Sequence, residues 1–277
     1  MPTPGQLGLL ILAILLFAAG GALSFVRLRD ERPLWRILAK QFLYWGVLVA
    51  LGVLVWHSAH RGSWLPLEDN FDALVWVGLL IMGFVLYVQQ AKSLAGIDAF
   101  LTPVTIVFLI AAAVFGRTKP HPYLPVTWSW VHRVTAYGGA VAFAAAGAAG
   151  AMFLITNARL RRHKLVGPGS GSNFGSLEGL ERFTRLAVTL GFALLTIGLI
   201  TGFTQLRAGD TRLGSHWFLQ PKVLLASGVW VVYALVLHAP INPSFRGRRT
   251  AVLSIFGLVL MIGTLIAVQF MPAGGGR

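Results

Sequence analysis

The chain has 277 residues, of which 56% are hydrophobic and 12% charged, and a mean hydropathy of +0.73. A soluble domain carries about twice that share of charge, so the composition excludes one and points to an integral membrane protein. With 0 cysteines and this apolar content, a disulfide scaffold and a disordered chain are excluded as well.

A helix that crosses ~30 Å of hydrocarbon needs roughly 20 apolar residues. Eight stretches qualify in chain order: 7–26, 42–56, 73–88, 97–115, 128–155, 183–206, 223–237 and 252–270. The second, third and seventh are short, and their ends are expected to extend by a turn. The first stretch has no basic segment before it and a long apolar run, so it reads as a span and not as a signal peptide. Asp98 opens the fourth stretch and is expected to cap it. The Gly- and Ala-rich face of the fifth, with Gly138, Gly139, Gly147 and Gly150, suits close helix packing. No alternating strand pattern recurs, which argues against a β-barrel. The expected fold is an all-α polytopic bundle, treated as one membrane domain over residues 1–277.

The net charge of +14 would suggest nucleic acid in a soluble protein. Here its distribution says otherwise. Arg27, Arg29, Arg32, Arg36 and Lys40 follow the first span, Lys92 the third, Arg159, Arg161, Arg162 and Lys164 the fifth, and Arg246, Arg248 and Arg249 the seventh. These are alternate loops, so they are expected on the cytoplasmic side, with both termini outside. Basic residues spread over four loops form no nucleic-acid face. The 159–164 cluster is expected to meet anionic lipid head groups. The loop behind it holds Gly167-Pro-Gly-Ser-Gly-Ser172, a flexible composition.

The seven histidines carry the chemistry this sequence offers. His132 lies about 6 Å inside the outer end of the fifth span, whereas His238 lies about 27 Å below the outer end of the seventh. One iron cannot bind both. Each reads either as an interfacial anchor or as a haem ligand, since helix bundles hold haem between facing helices. His57 and His216 are possible outer partners for His132, and His163 is available at the inner level. His60, His121 and His163 sit in loops and read as solvated. The sequence contains no phosphate-binding loop, no paired intramembrane carboxylates and no catalytic residues that can be named. It contains neither an inverted repeat nor a pair of broken helices, so a transporter is disfavoured.

Several segments together resemble a family. They are Pro66-Leu-Glu-Asp-Asn-Phe-Asp-Ala-Leu74, Ile97-Asp-Ala-Phe-Leu-Thr-Pro103, Trp130-Val-His132 with Tyr137, Leu190 to Gly202, and Gly214-Ser-His-Trp217 with Pro221-Lys222. The chain resembles the integral-membrane cytochrome c assembly proteins of the CcsA/HemX type, with the likeness running over about residues 66–270. The resemblance implies a haem-binding component of cytochrome c biogenesis in a bacterial-type cytoplasmic (plasma) membrane, presenting haem to apocytochrome c outside, with a second membrane subunit as partner. It implies His132 as an outer haem ligand, His238 as ligand of an intramembrane haem, and Trp217, Trp230 and Lys222 as haem-binding residues. The chain has no cysteine for a thioether bond, so an assembly factor is expected and not a conventional enzyme. Leu213, Leu219 and Gln220 stand where the family's tryptophan-rich loop carries Trp, Trp and Asp. That departure supports an alternative: an accessory or regulatory protein of the same fold that has lost external haem handling.

Overall fold

A computed structural model describes residues 2–28, 32–64, 66–91, 94, 96–116, 126–161, 176–209, 221–238 and 247–270. These form eight helices: α1 Pro4–Arg27, α2 Pro33–Arg61, α3 Asn70–Ala91, α4 Ile97–Phe115, α5 Val126–Arg161, α6 Leu177–Gly209, α7 Pro221–His238 and α8 Arg248–Phe270. No strand occurs among the described residues. Seven of the helices are long and apolar enough to cross a membrane, and α7 is a shorter apolar helix of 18 residues. The fold is a polytopic helical membrane bundle.

Local chemistry sets the helix ends. Thr3 and Gln6 form a reciprocal capping box at the start of α1, followed by Pro4 in the first turn. Gly62 closes α2 at φ 75°, a left-handed conformation that only a residue without Cβ adopts at little cost. Asp69 caps α3, its Oδ1 accepting from the Asp72 amide at 2.8 Å. Asp98 departs from expectation. The cap of α4 is Gly96, which offers no side-chain bond. The Asp98 carboxylate instead turns to α1, accepting from Ser24 Oγ at 2.7 Å and from Arg27 at 2.8 Å. A buried carboxylate needs a cation and hydrogen-bond donors to offset its desolvation, and Arg27 and Ser24 supply them.

The helices gather in two compact units. The first comprises residues 1–120 with 155–177, the second 121–154 with 178–277. In the first, α3 is the buried helix: 72% of its span is buried, against 33% for α1. Missing side chains let α1 and α2 approach closely, since Gly20 faces Leu43 and Gly46 faces Phe17. In the second, Gly147 meets Leu258, Gly150 meets the Ala251 backbone, and Phe143 stacks on the buried Tyr233. Thus the Gly–Ala face of α5 is used for packing.

The surface also fits a membrane. Leu15, Trp45 and Val55 in the first unit, and Leu190, Ile200 and Phe256 in the second, are all exposed. Large apolar side chains on so many helices would drive a soluble protein to aggregate, and they match hydrocarbon tails.

Candidate functional site

In the second unit the aromatic, histidine-bearing start of α5 lies against α6. Trp128 Nε1 donates to Thr204 Oγ1 at 2.8 Å. One turn further along α5, His132 Nδ1 donates to the Gly198 carbonyl at 2.8 Å, with Thr201 Oγ1 at 3.4 Å. The ring fits because α6 presents glycines there. A Cβ on Gly202 would stand 2.9 Å from His132 Cε1. Beside it, Arg133 donates to Ser129 Oγ at 2.9 Å and lies over the Trp130 ring. Thus an α6 hydroxyl takes the Trp128 indole N–H, and an α6 backbone carbonyl takes the His132 proton.

Trp230, expected to bind cofactor, is half-buried on α7. Its Nε1 donates to Thr196 Oγ1 at 3.0 Å, and its ring tilts against Phe192. His238 ends α7 and is exposed, with Nδ1 donating to the Ala234 carbonyl of its own last turn at 2.7 Å. Leu237 beside it lines a cleft with Glu181, Thr184 and Arg185 of α6. His132 instead rests on Gly198 to Gly202 of α6. Thirteen residues separate Arg185 from Gly198, about 20 Å along a helix, so the two histidines sit at different levels. Trp217, His121, His163, His216 and the loop positions Leu213, Leu219 and Gln220 lie outside the described residues. Lys222 falls in the first turn of α7.

His57, a possible outer partner by sequence, is engaged elsewhere. It is 3% exposed, and its Nε2 pairs with Asp69 Oδ2 at 2.7 Å. Arg61, one turn on, contacts Asp69 at 2.9 Å, Glu68 at 3.1 Å and Asp72 at 3.5 Å. Burial alone would push the Asp69 carboxyl up, but His57, the Asp72 amide and Arg61 together hold it below its usual value. This network locks the end of α2 to the start of α3. Sequence reasoning missed it, although the signal was present: His57 and Arg61 are four residues apart, hence on one face, and three acids follow a short way down the chain. Among the described residues no group of three or more His, Cys, Asp or Glu is placed to hold a metal ion.

Comparison with known proteins identifies the family. Residues 64–274 match the model of the family described as cytochrome C assembly protein. The chain is 25% identical to a protein named cytochrome c biogenesis protein CcsA from Guillardia theta over 234 residues, 77% of this chain and 76% of that relative. It is 34% identical over 101 residues to a protein of the same name from a strain of Prochlorococcus marinus, covering 36% of this chain and 31% of that relative. A third, from a strain of Synechococcus, is 33% identical over 105 residues, 38% of this chain and 32% of its own. The chain thus matches about a third of the length of these two. No solved structure matches. With most of its length under the family model, from the α2–α3 connection into the C-terminal tail, the chain belongs to the cytochrome C assembly protein family.

Proposed function

We propose that this protein is a haem-handling membrane component of cytochrome c biogenesis that helps present haem to apocytochrome c on the outer face. The observation that carries the reading is His132. Its Nδ1–H is held by the Gly198 carbonyl; in the neutral ring Nε2 then carries the lone pair, and a neutral imidazole nitrogen is what haem iron accepts. The residues therefore fit the group. Haem would be cargo here: its iron would take the imidazole nitrogen, and the chain would hold and orient it. Trp217 and Lys222 would form the rim of the outer site, with Trp230 supporting it from α7. The relatives' printed names support a role in cytochrome c biogenesis.

His238 is the proposed ligand of a second haem near the inner half of the membrane. By sequence no other histidine in a span reaches that level, His163 belonging to a basic loop, so a second ligand to that haem would come from another membrane subunit. The proposed orientation puts both termini outside a bacterial-type cytoplasmic membrane, with the basic loops inside.

A second reading keeps the fold and loses external haem handling. The residues Leu213, Leu219 and Gln220 favour it, because each removes an aromatic or acidic group from the loop that would stack on haem. The visible spectrum of the protein purified with its membrane partners separates the two. The haem-handling reading expects a non-covalent haem that acid acetone extracts. A complex without haem leaves the accessory reading.

A further inference from the structure

A carbonyl oxygen only accepts, so the 2.8 Å contact with Gly198 places a proton on Nδ1 of His132. Thr201 agrees with that assignment. Its hydroxyl donates to the Ile197 carbonyl at 2.8 Å, which leaves a lone pair facing the protonated Nδ1 at 3.4 Å. The ring position is set by a third contact, the bare Cα of Gly202, where any Cβ would stand 2.9 Å from Cε1. One turn of α6 thus supplies two acceptors and a steric floor to a single imidazole. In water the neutral ring favours a proton on Nε2, so this turn reverses the ordinary preference.

We propose that the Gly198–Gly202 turn is a socket that positions His132, holding Nδ1–H and presenting Nε2 as the ligand nitrogen for an incoming haem. The proposal rests on the outer-haem reading above. Thr201 and Gly202 are positioning residues: they act through His132. A hydrogen bond at Nδ1 makes Nε2 more basic, which strengthens the bond to iron and stabilises the ferric state. A ring already oriented also loses less freedom when it binds.

The test uses the full chain, reconstituted in lipid nanodiscs with 15N-labelled histidine, with and without haem. In the haem-free protein, the resonances lost in His132→Ala identify this ring. They are expected to show a protonated Nδ1 and a bare Nε2, and Gly202→Ala is expected to mix the two tautomers. A bare Nδ1 in the parent overturns the socket whether or not haem binds. In the loaded protein, Thr201→Val is expected to keep haem, lower the iron–histidine stretching frequency and move the reduction potential positive, with Thr201→Ser restoring both. Gly202→Ala is expected to weaken haem binding about tenfold or more. Gly263→Ala, whose Cβ meets nothing within 4 Å, is expected to leave it unchanged. Unchanged frequency and potential in Thr201→Val together with unchanged binding in Gly202→Ala overturn the positioning role. Full haem retention in His132→Ala instead overturns the outer-haem reading and the ligand half of the proposal, while the haem-free spectra still decide the socket.

Discussion

Replacing Asp69 tests the buried network that ties α2 to α3. Its carboxylate does three things at once: it pairs with His57 at 2.7 Å, takes Arg61 at 2.9 Å and caps α3 through the Asp72 amide at 2.8 Å. Asp69→Ala removes all three and leaves a buried histidine without its partner, a change that costs about 3–5 kcal/mol. Asp69→Asn keeps an oxygen for the cap, so it is expected to cost about 1 kcal/mol less. Equilibrium unfolding in mixed detergent micelles, followed by tryptophan fluorescence, measures both. The pH dependence gives a second check. The folded-state carboxyl is held below its usual value, so its contribution is present above the unfolded value and is lost as pH falls through the folded one. The gap between the parent and Asp69→Asn is therefore expected to be full at neutral pH and to shrink below about pH 4. An Asp69→Asn protein as stable as the parent at neutral pH, or a gap that persists undiminished into acid, would refute the reasoning.

Two further outcomes are expected. Arg27→Met leaves Asp98 fully buried with Ser24 alone and is expected to cost about 3–5 kcal/mol, whereas Asp98→Leu leaves an Arg27 that reaches water and costs less; the double variant should cost clearly less than the sum, and an additive result in the same unfolding assay would mean the pair is not coupled. A reporter fused after Arg277 is expected to be active only on the outer side, and cytoplasmic activity there would reject the proposed orientation.

Helix number was legible because a membrane span writes itself into hydropathy. Helix extent was less so. The second stretch reads as 42–56, yet α2 runs Pro33–Arg61, because Arg36 and Lys40 ride on a helix whose charged side chains leave the hydrocarbon. At 36 residues, about 54 Å, α5 likewise outruns its apolar core. By sequence Asp98 reads as a cap, because its partners, Ser24 and Arg27, lie on another helix and local sequence does not reveal them. Their spacing was a faint sign, since residues three apart share a helix face. His132 could be named from depth and neighbours, but its tautomer could not. The deciding partner is a backbone carbonyl, which every residue has. What the sequence did carry was Gly198 and Gly202, four apart, marking where another group comes close.

Two separate haem sites are proposed, one at His132 and one at His238. Haem absorbance of the complex purified with its membrane partners tests this most directly, with each histidine replaced by alanine in turn. His238→Ala is expected to remove most of the absorbance and His132→Ala a smaller part, because the outer loop carries Leu213, Leu219 and Gln220 where aromatic and acidic groups would hold the ring. Equal loss in the two variants, or a wild-type complex with no haem, would contradict it.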